Sequence, residues 1–420
     1  VPMKDSGVEW IGEIPEHWEV KRLKFLGEAI IGLTYNPSEI VDSQNGTLVL
    51  RASNIQNSLL SMKDCVFVDK KIPQKLRIKK DDILICARNG SKHLVGKNIL
   101  LDENLIDSTF GAFMTIFRSE YANFISKILN SQIFKSQTGL YSTTTINQLT
   151  TSILNNIVVA FTKNEIERNQ IAEFLDKQTT QFDELIAISK VQITLLEEKR
   201  QATITQAVTK GLDPSVAMKD SGVEWIGEIP EGWEVKKLKF VANFNNSTVD
   251  RHVYDDEIPV SISHYPQVYH NETISLKTEL PKGTCSQKEF ENFRLKKDNV
   301  LITKDSESAD DIGVPVYILD DFSDAVCGYH IAQLSTDKKQ LFGGFLFRFI
   351  QSSNVNGYFE TEANGVTRYG LGKDSISNLI IPLPPKLVQE QIYDFLQNKT
   401  TQFDELIAKS KAQVTLLEEK

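Results

Sequence analysis

TTQFDELIAISKVQITLLEEK, residues 179–199, returns as TTQFDELIAKSKAQVTLLEEK at residues 400–420. MKDSGVEWIGEIPEGWEVKKLKF, residues 218–240, has already stood at residues 3–25 as MKDSGVEWIGEIPEHWEVKRLKF. The first pair differs only at Ile188/Lys409, Val191/Ala412 and Ile193/Val414, the second only at His17/Gly232 and Arg22/Lys237. With the 3–25 segment called a and the 179–199 segment called b, the chain reads a, X, b, a, Y, b, and X and Y share only scattered short matches. A near-copied frame around two unlike inserts points to one scaffold that presents two different readers.

Working outward from residues 179–199, an apolar stripe runs from about Asn164 to Val208. Ile171, Phe174, Leu175, Phe182, Leu185, Ile186, Ile193 and Leu196 recur at spacings of three and four, with charge on the opposite face. No proline interrupts it before Pro214, and Gly211 is a natural stop. About 45 residues at roughly 1.5 Å each make a rod of nearly 70 Å. From Leu387 the stripe repeats as Ile392, Phe395, Leu396, Phe403, Leu406, Ile407, Val414 and Leu417. Two long helices with matching stripes bury them most simply against each other, so Phe182, Leu185, Ile186, Ile193 and Leu196 are expected to form a coiled coil with Phe403, Leu406, Ile407, Val414 and Leu417. With a globular insert between them, an antiparallel pair with pseudo-twofold symmetry is the expected closure. The second copy has no counterpart of RQATITQAVTKG, residues 200–211. Either the chain is cut there or its natural end is shorter.

The first insert, roughly Gly27 to Val159, reads as short strands, TLVLRAS, DCVFV, DDILICA and FGAFMTIFR, with turn signals at Asn45-Gly46 and Asn89-Gly90. FISKILNSQIFKSQTG has helical spacing. The second insert, roughly Val241 to Pro382, has a comparable order: IPVSISH, DNVLITK, VPVYIL, AVCGYHIAQL, then GGFLFRFIQ. A short apolar run follows each insert, NNIVVAF from Asn155 and SNLIIPLPP from Ser377. All four tryptophans, Trp10, Trp18, Trp225 and Trp233, sit in the two copies of segment a. They read as core anchors at the entry of each insert, with a partner-binding surface as the other reading. The expected boundaries are 1–160 for a first globular domain, 161–211 for a central helix, 212–385 for a second globular domain and 386–420 for a C-terminal helix.

No apolar run approaches the roughly 18 residues of a membrane span, and the N-terminus shows no signal-peptide core, so a cytoplasmic location is expected. Cys65, Cys86, Cys285 and Cys327 are isolated and read as reduced. The net charge is −9, but residues 30–150 hold 14 Lys/Arg against 10 Asp/Glu, while residues 245–375 hold 13 against 20. Whole-chain charge says little about a local groove, although an acidic second insert is a cost for DNA binding. Catalytic signatures are missing. GSKHLVGK at residues 90–97 has five residues between its glycines instead of the four of a phosphate loop, and Asn98 stands where Ser/Thr would bind metal. Cys327 and His330 form a lone C-x-x-H without a second pair. The Asn/Asp-Pro-Pro-aromatic tetrad of adenine-N6 methyltransferases is absent, and His17 is matched by Gly232 in the other copy. The chain therefore reads as no enzyme by itself, with no metal site.

WIGEIPEHWEVKRLKF before a variable domain, then an apolar run and QIAEFLDKQTTQFDELI after it, all given twice, resembles the specificity (S) subunit of Type I restriction-modification systems. The resemblance implies an α/β (α+β) fold: two target-recognition domains separated by two long antiparallel conserved helices, a coiled coil with a pseudo-twofold internal repeat. Each domain would read one half of a bipartite double-stranded DNA site, asymmetric because the inserts differ, while the coiled coil sets the gap. The conserved regions would dock two adenine-N6 methyltransferase (M) subunits and the restriction (R) subunits. S-adenosylmethionine, ATP and Mg would belong to those partners, with no cofactor in this chain. A non-DNA coiled-coil assembly scaffold is the alternative.

Direct readout needs polar and cationic side chains at loop tips that reach base edges. In the first insert these are Arg51, Ser53 and Asn54; Arg88, Asn89, Ser91, Lys92 and His93; and Tyr141, Thr143, Thr144, Thr145 and Asn147. At the same places in the second insert stand Ser263, His264 and Tyr265; Lys304, Asp305 and Ser306; and Thr367, Arg368, Tyr369 and Lys373. Arg88 and Lys304, at matching positions after strands, are the strongest candidates. A solvated loop residue is the plain alternative for each, and Arg51 could pair with a carboxylate such as Asp69.

Overall fold

In the computed structural model, which describes residues 1–56, 59–140 and 148–419, the chain divides into two units, 1–183 and 184–420. The first holds strands β1 (Glu28–Ile31), β2 (Thr47–Leu50), β3 (Ile83–Cys86), β4 (Asn98–Leu100), β5 (Thr109–Phe110) and β6 (Met114–Arg118), then helix α1 (Ala122–Leu129). Helix α2 (Glu165–Lys210) begins in this unit and continues into the second. An antiparallel sheet has the order β4-β3-β6-β1. In a second sheet, β5 lies parallel to β2.

β3 reads as the unbroken apolar run ILIC because both of its faces are covered. Ile83 and Ile85 pack with Leu23, Phe124 and Phe161, whereas Leu84 and Cys86 pack with Leu50, Ile55 and Phe110 on the other side. The second unit repeats this plan with β7 (Ala242–Asn246), β8 (Ile258–Ser263), β9 (Asn299–Thr303), β10 (Pro315–Ile318), β11 (Ala325–Cys327) and β12 (Ile331–Thr336), followed by helices α3 (Gly343–Ile350) and α4 (Lys386–Glu418). Its main sheet runs β7-β12-β9-β10, extended by Thr273–Ile274, and β11 lies parallel to β8. Asp81 and Asp298, at the turns into β3 and β9, both hold positive φ, 63° and 78°. The turn is one of the few short matches between the inserts, KKD at residues 79–81 and again at 296–298.

The copied segments close each unit. Glu19–Arg22 pairs antiparallel with Val158–Phe161, and Glu234–Lys237 with Ile380–Leu383. Trp18 meets Phe124 edge-on at 6.2 Å and donates its indole N–H to Glu167 at 3.0 Å. Trp233 packs on Phe345, Trp225 stacks on Tyr358 at 5.5 Å, and Trp10 is exposed. The two frames are not equal. His17 and Trp18 both reach Glu167, while the second copy has Gly232 for His17 and Val388 at the position matching Glu167.

GGFLFRFIQ, which follows the strands of the second insert, is α3, and every residue from Gly343 to Ile350 is buried. A run that is apolar all round loses the 3.6-residue signature, so its periodicity cannot separate a buried helix from a strand. In the helical pair, Leu185 and Leu406 are 44% and 48% exposed instead of facing the partner helix. The least exposed line along α2 is Ile186, Ser189, Ile193, Leu196, Arg200, and along α4 it is Phe403, Ile407, Ser410, Val414, Leu417, with Ser189, Ile407 and Val414 buried and the rest half-buried. Those spacings alternate three and four, the 3.5-residue period of a coiled-coil seam. Leu185 and Leu406 stand one residue, about 100°, off that line. The serines at 189 and 410 hid it from a reading that followed apolar residues alone. Within the second unit, Lys190 pairs with Glu418 at 2.9 Å, Glu197 with Lys411 at 3.0 Å and Arg200 with Asp404 at 2.8 Å. Partner numbers fall as α2 numbers rise, so the helices are antiparallel. No helix among the described residues is long and apolar enough to cross a membrane.

Candidate nucleic-acid interface

FGAFMTIFR and AVCGYHIAQL are each split by the fold. β5 ends at Phe110 and β6 begins at Met114, so 111–113 cross between sheets; 328–330 do the same between β11 and β12. The crossing brings the loops that follow β2 and β3 to one end of the first unit. Residue 32 must be glycine there, since a Cβ would sit 2.1 Å from the carbonyl oxygen of Gly111. The result is an open cleft of about 880 Å³ whose walls include Tyr35, Arg51, Ser53, Arg88, Asn89 and Phe113.

Asn54 organises one wall from beneath. Its side-chain carbonyl accepts from the Arg51 N–H at 2.8 Å, and its amide donates to the carbonyls of Ser61 and Asp64. Arg51 pairs with Asp64 at 2.7 Å, not with Asp69. On the opposite wall the Arg88 and Ala87 N–H groups both donate to the Phe113 carbonyl, and the Arg88 guanidinium lies 5.3 Å over the Phe113 ring. That cation–π seat orients an exposed arginine without consuming its hydrogen-bond donors.

The same construction in the second unit gives a cleft of about 760 Å³ with different side chains. Lys304 donates its N–H to the His330 carbonyl, and its ammonium lies 5.6 Å over the Tyr329 ring. Asp305 accepts from His330 Nδ1 at 2.6 Å and from Lys304 Nζ at 3.2 Å. Tyr265 stacks on Tyr269 at 5.5 Å, and the Tyr269 hydroxyl donates to Asp311 at 2.7 Å. That bond to a carboxylate, with burial and the Asp311 charge, pushes the Tyr269 phenol up to about 12, so it remains a donor. Burial, helped by Arg251, lowers His264 below its ordinary value. Arg251, Ser306, Glu307, Thr367 and Arg368 supply the remaining polar wall.

Of the residues expected from sequence, Arg51, Ser53, Arg88 and Asn89 line the first cleft, and Tyr265, Asp305, Ser306, Thr367 and Arg368 line the second. The match of Lys304 to Arg88 is corrected: Cys86 pairs with Met114 as Thr303 does with Ile331, so Lys304 stands at the position of Ala87 and Asp305 at that of Arg88, and Lys304 lies behind the second cleft, four-fifths covered. Tyr369 faces Ser306 across a short strand pair, and His264 is half-buried at the start of the Tyr265–Tyr269 helix. Ser91, Lys92 and Lys373 are exposed outside the lining, and His93 lies within the short 3-10 helix Lys92–Leu94. Tyr141, Thr143, Thr144, Thr145 and Asn147 lie outside the described residues. Asn54 and Ser263 are corrected: both are 0% exposed, and their side chains serve the interior instead of a groove. Tyr35, Phe113, Arg251, Tyr269, Asp311 and His330 were not singled out as DNA contacts. A glycine inside each supposed strand, Gly111 or Gly328, was the available signal for the crossing that exposes Phe113 and His330.

Residues 230–416 match the family model described as the Type I restriction modification DNA specificity domain. The chain is 24% identical over 397 residues to the Type I restriction enzyme StySPI specificity subunit of Salmonella potsdam, an alignment covering 91% of this chain and 81% of the relative. Among solved structures, it superposes with a TM-score of 0.70 and 15% identity on a chain from a study of the complex assembly and conformational transition of the type I R-M system, covering 97% of this chain and 96% of that one. The HsdS subunit from Thermoanaerobacter tengcongensis superposes with a TM-score of 0.57 and 14% identity, covering 97% of both chains. At these identities the structural likeness concerns the fold.

Proposed function

Because the chain belongs to the specificity subunits of Type I restriction-modification systems, we propose that its two units each read one half of an asymmetric bipartite DNA site. The observation that carries this reading is the cleft built twice on equivalent backbone with unlike side chains, Arg88 beside Phe113 in one unit and Asp305 beside His330 in the other. An aromatic seat under a cation recurs, with Arg88 on Phe113 and Lys304 on Tyr329. Equal plan with unequal chemistry is what two different half-sites require.

Helices α2 and α4 set the gap between the half-sites in this reading. Modules on one face of B-DNA stand about one helical turn, roughly 34 Å, apart, and a helical spacer holds such a distance where a flexible linker does not. The copied frame docks two adenine-N6 methyltransferase subunits and the restriction subunits. S-adenosylmethionine, ATP and Mg act on those partners, and this chain contributes recognition without chemistry of its own. The carboxylates of Asp305, Glu307 and Asp311 in the second cleft are what a protein-binding scaffold would also use, and salt-dependent DNA affinity of the assembled complex separates the two readings.

The test is to co-express the chain with its methyltransferase subunit in a methylation-free host and map N6-methyladenine across the genome. The expected result is one asymmetric motif, two short defined halves around a fixed unspecified gap. A soluble, associated complex that adds no methylation would overturn the proposal.

A further inference from the structure

His330 departs from its surroundings in its backbone. Its backbone holds φ at 70°, one of three non-glycine residues with positive φ among the described residues. For a side chain of this size the left-handed region costs on the order of 1 kcal/mol and persists only where neighbours over-determine it. Here the Lys304 N–H holds the His330 carbonyl and the Asp305 carboxylate holds the ring. The equivalent residue of the first unit, Phe113, also accepts from the strand-end amides but keeps an ordinary backbone. Something in the second unit is therefore aimed at the expense of local strain.

The aim follows from the hydrogen bonds. A carboxylate can only accept, so His330 Nδ1 carries the hydrogen that it shares with Asp305 Oδ2 at 2.6 Å. The ring is then fixed at one nitrogen, with Tyr329 packed against it at 3.9 Å between centroids. No partner within the described residues meets Nε2, and the side chain, 29% exposed, forms part of the cleft wall beside Thr367 and Arg368. An imidazole locked at Nδ1–H presents a lone pair at Nε2, which accepts from an amino group. In the major groove the amino donors are adenine N6 and cytosine N4.

We propose that His330 is a base-reading residue of the second unit, accepting at Nε2 from the exocyclic amino group of one adenine or cytosine of its half-site, and that Asp305 is its positioning residue. This rests on the DNA-recognition reading above and deepens it by assigning one position of one half-site to one side chain. It also accounts for part of the asymmetry of the target. The equivalent strand-end position holds Arg88 in the first unit, a donor suited to guanine, where Asp305 holds an acceptor ring in the second.

The experiment compares N6-methyladenine maps made by the full chain, H330A, D305A and R88A, each co-expressed with the methyltransferase subunit, with thermal melting of each purified complex as a control for folding. If the unaltered chain yields no bipartite motif, the functional reading fails before this one is tested, so the two failures are distinct. Given a motif, H330A is expected to relax a single position occupied by adenine or cytosine, by roughly ten-fold in discrimination. D305A should relax the same position to a smaller degree, and R88A a position in the other half. The proposal is overturned if H330A methylates the original motif unchanged, or weakens all positions alike as a lost phosphate contact would. Relaxation of a guanine or thymine position, or of the half altered by R88A, overturns it equally, as does D305A relaxing a different position at an unchanged melting temperature.

Discussion

Replacing Glu272 by glutamine removes one charge from the most buried ionic group of the second unit. Arg348 on α3 is 0% exposed and donates to Glu272 at 3.3 Å, to Gln351 at 2.7 Å, and to Gln397 and Thr400 of α4 at 3.0 and 3.1 Å. Its Nε has no partner. Arg200 of α2 also donates to Glu272 and reaches Asp404 of α4 at 2.8 Å. Two guanidiniums thus face two carboxylates, and the group ties both long helices to the insert that follows α2. Burial raises the Glu272 carboxyl, but Arg348 and Arg200 outweigh it and hold it below its ordinary value. Burial pushes the Arg348 guanidinium down, and Glu272 offsets this only in part. The two directions agree on one point: Arg348 depends on this carboxylate.

Breaking a buried pair by removing one partner costs about 3–5 kcal/mol. Glu272 is 35% exposed on its side chain, and glutamine keeps hydrogen-bonding capacity, so about 2 kcal/mol is expected for Glu272→Gln. For a unit of this size that is roughly 4–8 °C in Tm, read by calorimetry or near-ultraviolet circular dichroism at pH 7. Asp404→Asn, whose side chain is 51% exposed, should cost no more than about 1 kcal/mol. A carboxyl depressed in the folded state contributes stability above its unfolded pKa, about 4.3, and loses it as pH falls through the lower folded value. The gap between wild type and Glu272→Gln should therefore be full at pH 7 and close as the pH falls through the depressed folded value. A gap no larger than that of Asp404→Asn, or one that persists unchanged at low pH, would refute the reasoning.

Three further outcomes are expected. Ile407→Ala, at 8% exposure, should destabilise the helical pair by about 2 kcal/mol, while Leu406→Ala next to it, 48% exposed, should stay within about 0.5 kcal/mol; urea midpoints of the two variants check this. Inserting seven residues into both α2 and α4 preserves the alternating three-four seam and adds about 10.5 Å. The mapped gap should grow by about three base pairs with both halves unchanged, whereas a four-residue insertion, about 6 Å, breaks that seam and should also lower the melting temperature. Arg88→Ala should relax one position of one half-site by about 1–3 kcal/mol and leave the other half intact, as read from methylation maps scored position by position.

Much of the architecture was open to a reader of the residues because it is written in repeats and local periods. Copied segments, a three-four apolar stripe without proline and a glycine stop are nearest-neighbour signals, and they appear as α2, α4 and the strand pairs that close each unit. The loops after β2 and β3 could be named because a polar tip following an apolar strand is also a local pattern. What the residues could not show was which partners each side chain meets. Asn54 looks like a reader beside Arg51, yet it is buried under the loop that it holds. Leu185 looks like core, yet Ser189 takes the seam position. Asp305 and His330 lie 25 residues apart, and they become a pair only because β9 and β12 are neighbours.

The sequence by itself determined that this protein is a doubled frame around two unlike inserts with a long helix after each, since helix periodicity and repetition are properties of consecutive residues. Only the tertiary structure decided the registry of the two helices, the burial of Arg348 between them and the insert, and the side chains that face each cleft. Those depend on contacts between residues far apart in the chain. Their energies are set by burial and geometry, which no stretch of sequence carries alone.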